Sequence, residues 1–216
     1  AALTTAIVSS CGFAVLGLCA RSGQAVTGSI YQMLAHGVSA RGLFMIVGML
    51  SDRRHTRLIA EFGGLKNVVP RFVAVFFLIT LASIGLPGLN GFVGEFLILL
   101  GTYRWDWRYA AFAASGVILS AVYMLWMFQR VHYGPVTDER NARLTDLGPR
   151  EWAVMVPIVA LIVLMGVALA EQLPDLEAVH FSHTPFATPT WLRVLPDHIA
   201  GDLDAVPIRA DFARTT

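Results

Sequence analysis

Glu95 ends the string Gly85-Leu-Pro-Gly-Leu-Asn-Gly-Phe-Val-Gly-Glu95 and is the only acid inside a long apolar run of this chain. A charged side chain at membrane depth costs about 3 kcal/mol on insertion scales, so such residues usually mark an ion or proton path. We therefore predict that Glu95 is a titrating site on a proton path. A structural carboxylate that caps a half-helix or pairs with an arginine is the alternative.

Helix-breaking residues precede this acid, and non-helical backbone survives at membrane depth only inside protein or beside water. A broken helix next to an ionisable group is typical of ion-coupled transporters. The residues that we expect to open the helix to water are Gly85, Pro87, Gly88 and Gly91.

A second set of polar residues, Ser29, Gln32, His36 and Ser39, has the spacing of one helix face. His36 can exchange protons near neutral pH, which suits a proton relay. A neutral histidine that joins two helices by a hydrogen bond is an equal alternative. Arg41 lies about 140° around the same helix from His36. We expect Arg41 to pair with a buried acid or to sit near a polar cavity.

The composition indicates a membrane protein. Of 216 residues, 56% are hydrophobic and 14% are charged, against about 25% charged in soluble domains, and the mean hydropathy is +0.62. A net charge of +1 without Lys/Arg blocks argues against nucleic acid as a partner. The chain lacks the HExxH, CxxC and Walker motifs, so we expect no cofactor in this chain.

Six apolar runs approach the 20 or so residues that a bilayer crossing needs. We predict an all-α, polytopic membrane helix bundle with about six transmembrane helices, one of them discontinuous near Pro87, because open sheets cannot satisfy their edges in lipid. The runs are residues 1–20, 29–50, 68–86, 90–103, 109–131 and 152–170.

Two basic loops, within residues 53–71 and 130–150, fall on opposite sides of the membrane if all six runs cross it. The positive-inside rule then leaves the orientation open. We expect residues 1–170 to form the membrane domain and the proline-interrupted residues 171–216 to be a partly irregular extramembrane tail. The chain opens inside an apolar run without the charged start of a signal peptide, so we expect a fragment that begins partway into a membrane helix.

Three strings carry a family resemblance: QMLAHGVSARGLFMIVGML at 32–50, RRHTRLIAEFGGL at 53–65 and ASIGLPGLNGFVGEFLILLG at 82–101. From about residue 8 to 170 the chain resembles the M-type antiporter-like subunits of proton-pumping NADH:quinone oxidoreductase, respiratory complex I. The resemblance implies the C-terminal part of a fourteen-helix subunit, beginning near its ninth helix. It also implies that Glu95 is the terminal proton site of a half-channel and that His36 belongs to the hydrophilic axis leading to it.

The glutamate favours the M type, since L-type and N-type sister subunits and the multi-subunit cation/proton antiporters usually carry lysine there. Two positions depart from the family pattern. Ser10 stands where a histidine is common, and a hydroxyl can hold a water wire but binds no proton near neutral pH. Arg41 replaces a small or uncharged residue, which would change the electric field at His36.

The resemblance implies proton translocation coupled to electron transfer from NADH to quinone in other subunits. FMN, iron–sulfur clusters and quinone would belong to those partner subunits, and the L-type and N-type subunits would be membrane neighbours. The implied location is the bacterial cell (inner) membrane, with several passes through the bilayer. The alternatives are a subunit of a multi-subunit sodium/proton antiporter and a non-conducting structural membrane subunit.

Overall fold

The computed structural model describes residues 2–20, 22–136 and 138–170, and within these ranges the chain is helical without strands. The predicted tail, 171–216, lies outside the described residues. The helices are α1 (Ala2–Cys19), α2 (Gly23–Arg54), α3 (Pro70–Ile84), α4 (Asn90–Trp105), α5 (Trp107–His132), the single turn α6 (Glu139–Ala142) and α7 (Pro149–Ala170).

The six apolar runs all form helices, which confirms the predicted all-α membrane bundle. In the described part of the chain, α2, α5 and the segment Pro149–Val167 of α7 are each long and apolar enough to cross a bilayer. The apolar helices Val8–Cys19 and α3 are shorter. The chain is therefore an integral membrane protein that passes the bilayer several times.

The predicted break near Pro87 is confirmed, because residues 85–89 separate α3 from α4. Gly85 ends α3 in the left-handed region, at φ +83°. The Leu86 N–H donates to the Leu81 carbonyl at 3.1 Å and the Gly85 N–H to the Ala82 carbonyl at 3.3 Å. This pattern stops a helix while satisfying its last carbonyls.

The two helices on either side of the break pack in succession along α2 and run opposite to it. Ser22, at the start of α2, donates to the Gly101 carbonyl of α4 at 3.2 Å. Arg53, near the end of α2, lies 5.8 Å from the ring centre of Phe72 on α3. With 15 and 16 residues, α3 and α4 are each about 23 Å long, short of the roughly 30 Å of a bilayer core. They are therefore two halves of one broken span.

The predicted placement of the two basic loops on opposite sides of the membrane is wrong. Arg53 forms an ion pair with Glu151 at 2.7 Å, and Arg54 forms one with Asp138 at 3.0 Å. The Gly64 N–H also donates to the Tyr133 carbonyl at 3.2 Å. The loops meet because α3 and α4 cross once between them rather than twice.

Apolar side chains fill the space that α2, α3, α5 and α7 share. Ile46, Ile79, Met124, Met155 and Ile162 are fully buried there. Close packing of this kind fixes the position of α3 against α2.

The N-terminus of α3 is held by the loop that precedes α7. The Asp146 carboxylate accepts hydrogen bonds from the backbone N–H groups of Arg71 at 3.1 Å and Phe72 at 2.9 Å. An acid at a helix N-terminus satisfies free N–H groups and complements the helix dipole. Both ends of this half-span are therefore fixed by specific contacts.

Candidate functional site: a buried carboxylate beside the helix break

The Glu95 side chain lies in α4, one and a half turns after the break, and is 9% exposed. Its carboxylate is enclosed from two directions. The Gln32 Nε2 of α2 donates to Glu95 Oε1 at 3.4 Å. Glu95 Oε2 lies against Gly85, where any Cβ atom would overlap the carboxylate oxygen. Gly85 therefore serves both the left-handed turn and the space that the acid occupies.

Glycines bring α2 and α4 close enough for this contact. A Cβ atom on Gly94 would lie 2.9 Å from the Gln32 Cα atom, and one on Gly28 would lie 2.9 Å from the Ile98 nitrogen. Small residues of this kind let membrane helices approach backbone to backbone. The predicted helix-break residue Gly91 works similarly, since it packs directly on the Ala82 carbonyl oxygen of α3.

Asn90 is a site residue that the sequence reasoning missed. It is fully buried at the start of α4. Its Nδ2 donates to the Ala35 carbonyl at 2.9 Å, and its Oδ1 accepts from the predicted polar residue Ser39 at 3.1 Å. The available signal was an amide directly after a break in an apolar run, because a buried amide needs partners. Asn90 ties the second half of the broken span to α2.

One flank of the break is covered by α7. A Cβ atom on Gly166 would lie 2.6 Å from the carbonyl carbon of Leu89, so α7 packs directly on the non-helical backbone. The Tyr31 hydroxyl of α2 donates to the Met165 carbonyl at 3.0 Å, which joins α7 to the same site. The other flank, with Leu86 and Pro87, is exposed on the surface of this chain; Gly88 is exposed as well, but its carbonyl oxygen packs against Gly166.

Three predicted site residues, His36, Ser10 and Arg41, form no hydrogen bond with Glu95 within the described part of the chain. His36 is one helical turn from Gln32 on α2, is partly exposed, and makes no hydrogen bond within the part of the chain that the structure describes. Ser10 is buried on α1, which packs against α2 and α4. Arg41 is exposed on the opposite face of α2 and forms no ion pair with the residues described.

Within the described residues, the Glu95 carboxylate belongs to no metal-ligand cluster and to no ion pair. Across residues 2–20, 22–136 and 138–170, no three His, Cys, Asp or Glu side chains could hold a metal ion. Glu95 has no arginine or lysine partner in those ranges either. It also lies past the first turn of α4, where a capping side chain would stand. Its one hydrogen-bond donor among the described residues is a neutral amide, and a carboxyl group in such a setting can take up a proton and then donate as well as accept.

The fold and the site define a class: polytopic membrane proteins in which a discontinuous helix carries one buried ionisable residue. The family model described as NADH:quinone oxidoreductase/Mrp antiporter, TM, matches residues 3–122. The chain belongs to this family.

Individual relatives agree with the family assignment. The chain is 46% identical over 160 residues to NADH-quinone oxidoreductase subunit M of Rhodobacter capsulatus, covering 74% of this chain and 31% of the relative. Respiratory complex I from Thermus thermophilus with bound NADH contains a chain that matches with a TM-score of 0.71 at 33% identity, over 79% of this chain and 39% of that one.

A chain of the Mrp complex from Dietzia sp. DQ12-45-1b matches with a TM-score of 0.68 at 19% identity, over 80% of this chain and 42% of that one. At this identity the match shows a shared fold alone. The chain spans about a third of the length of the curated relatives that it matches.

Proposed function

We propose that the chain is part of an M-type, antiporter-like subunit that translocates protons in the membrane arm of an NADH:quinone oxidoreductase. The observation that carries the proposal is the Glu95 carboxylate, enclosed at a helix break with a neutral amide as its one hydrogen-bond partner among the described residues. The relative from R. capsulatus, named NADH-quinone oxidoreductase subunit M, supports the assignment to the M type.

In this proposal Glu95 binds and releases the proton, and His36 delivers it from the hydrophilic axis. Gln32 lies one helical turn before His36 on α2 and donates a hydrogen bond to Glu95, so it connects the two residues in space. The non-helical backbone at Pro87 and Gly88 gives water access to the span, since such backbone is stable at membrane depth only beside water or protein. Ser10 and Arg41 act through the solvent structure and the electric field around His36 rather than by carrying the proton.

The contact between the two basic loops supports an orientation in the bacterial cell membrane. Nine of the chain's 16 Lys and Arg residues lie in these loops, and the positive-inside rule then favours a cytoplasmic location for both. Glu95 is ten residues, or about 15 Å, from the opposite end of α4 at Trp105. We infer that Glu95 exchanges its proton with the non-cytoplasmic side.

Electron transfer would take place in partner subunits that hold FMN, iron–sulfur clusters and quinone, and the L-type and N-type subunits would lie beside this one in the bilayer. The chain supplies membrane-embedded polar groups rather than a redox centre. The proton path would be completed by parts of the subunit beyond the third of its length represented by this chain.

The test is Glu95→Gln in the full-length subunit within the intact enzyme. NADH-driven proton uptake by inverted vesicles should fall at least tenfold, because the amide cannot bind a proton, while Glu95→Asp should retain part of the activity. Glu139→Gln, which changes an exposed acid outside the bilayer, is the matched control. Undiminished proton uptake with Glu95→Gln would exclude Glu95 as the proton site.

A sodium/proton antiporter subunit is the second candidate, since the matching family model includes Mrp antiporters. The two candidates differ in ion dependence. Proton uptake that needs NADH and quinone but no sodium supports the oxidoreductase, whereas sodium-dependent exchange without NADH supports the antiporter.

A further inference from the structure

The amide of Gln32 is only half satisfied. The side chain is 2% exposed, and its Nε2 donates to Glu95 Oε1 at the long distance of 3.4 Å. Its Oε1 is fully buried and has no hydrogen-bond donor within the described part of the chain. Buried polar atoms are rarely left unpaired, and each exception requires a physical explanation.

The protonated form of Glu95 offers the missing donor. A primary amide presents a donor and an acceptor side by side, and a protonated carboxyl group does the same, whereas an ionised carboxylate can only accept. The ionised pair therefore makes one hydrogen bond and leaves Gln32 Oε1 unpaired. The protonated pair can make two, with the carboxyl O–H donating to Gln32 Oε1 and Gln32 Nε2 donating to the carboxyl C=O.

Tight packing keeps the two side chains next to each other. Gly94 lies against the Oε1, Cα and Cβ atoms of Gln32, and Gly85 lies against Glu95 Oε2. The bond from Gln32 Nε2 to Glu95 Oε1 already joins the two groups. Closing a second bond requires the protonated carboxyl group to turn its second oxygen from Gly85 toward Gln32 Oε1.

We propose that Gln32 is a positioning residue that closes a two-hydrogen-bond ring with Glu95 when the carboxyl group carries a proton and opens it when the proton leaves. Gln32 thereby stabilises the proton-loaded state of the site and holds the carboxyl group in one orientation. This inference rests on the proposed role of Glu95 as a proton site. The step is reversible: the Glu95 carboxyl group gains or loses one proton, and no other covalent bond forms or breaks.

Infrared difference spectroscopy of the intact enzyme during turnover tests the ring directly. The C=O stretching band of protonated Glu95 is identified by its loss in Glu95→Gln. In Gln32→Met, which keeps the side-chain length but has no amide, the band should move to higher wavenumber because the C=O has lost its donor. Proton uptake should fall about fivefold, as expected for one net hydrogen bond.

Gln24→Met, on the same helix two turns earlier, is the matched control and should leave the band in place. Gln32→Leu gives a second shape if the methionine variant does not assemble. A band that stays in place in both Gln32 variants overturns the ring, while loss of pumping in Glu95→Gln would still support the proposed function. If Glu95→Gln pumps normally, the proposed function fails whatever the position of the band.

Discussion

The two halves of α2 face the same broken span with different chemistry. Along its first half, glycines bring α4 into backbone contact and enclose the buried carboxylate of Glu95. Along its second half, the large apolar side chains Ile46, Ile79 and Phe72 fill the contact with α3. The ion pair on this side joins Arg53 in the last turn of α2 to Glu151 in the first turn of α7.

This difference separates two requirements of a membrane protein. Apolar packing, with an ion pair at the ends of α2 and α7, holds α3 in place at little electrostatic cost. Burying an acid in the membrane costs free energy, so a buried acid usually has a functional role. The small residues around Glu95 let the helices approach closely enough for the Gln32 amide to donate to it. The break between α3 and α4 marks the boundary between the apolar half and the glycine-rich half of α2.

The largest expected effect concerns the two basic loops, because the two halves of α2 face the same broken span only if α3 and α4 form one crossing. In a full-length subunit with Cys11 and Cys19 replaced by serine, a membrane-impermeant maleimide should label Arg57→Cys and Arg143→Cys from the same side. Arg108→Cys should be labelled only from the other side. Labelling of the two loop variants from opposite sides would mean that α3 and α4 each cross the bilayer.

A second prediction tests the close approach of α2 and α4. Gly28→Ala should destabilise the subunit by about 1–3 kcal/mol, because the new Cβ atom would lie 2.8 Å from the Leu97 Cβ atom and 2.9 Å from a backbone nitrogen. The thermal unfolding midpoint of the solubilised complex measures this loss of stability.

Gly37→Ala is the matched control on the same helix, since no described atom lies within 4 Å of its added Cβ. Alanine should stabilise that position by up to about 1 kcal/mol through helix propensity. Equal damage from both substitutions would show that the steric contrast between the two faces of α2 is absent in the assembled subunit.

In the apolar half, the stability of the fold should depend on the N-terminus of α3. Asp146→Ala removes the acceptor for the first N–H groups of α3 and should cost about 1 kcal/mol, the usual value of a helix cap. Asp146→Asn keeps one of the two acceptor oxygens and should retain part of that stability. If the alanine variant unfolds at the wild-type temperature, the cap contributes nothing and packing alone holds α3.

The sequence predicted the helices and the break because apolar run length and Pro/Gly position act locally. It did not predict that α3 and α4 share one crossing, since the runs 68–86 and 90–103, of 19 and 14 residues, lie at or below the limit of a bilayer span. Asn90 and Asp146 were missed for a different reason: their partners are 51 to 75 residues away along the chain. Long-range pairing of this kind leaves no periodic signal.

The candidate site was predictable in type but not in geometry. A lone acid in an apolar run identifies Glu95, and polar spacing on α2 identifies Gln32, but only the fold joins them. Arg41 shows the converse, because its charge attracted attention in the sequence and the structure gives it no described partner. Whether Glu95 and His36 carry protons stays a prediction.

The smallest expected effect is the pH response of the loop contact that joins α2 to the segment before α7. Hydrogen bonds from the Arg140 side chain and backbone, with the nearby Arg54 charge, lower the pKa of Asp138 to about 2. A lowered pKa means that the ionised carboxylate stabilises the fold above its ordinary value near 4 and that this contribution is lost as the pH falls toward 2. Asp138→Asn should therefore lower the thermal midpoint slightly at pH 7, and its difference from wild type should shrink between pH 4 and pH 2. A constant difference across that range would show that the charge of Asp138 does not stabilise the loop contact. Backbone hydrogen bonds, such as that between Gly64 and Tyr133, would then hold the loops together.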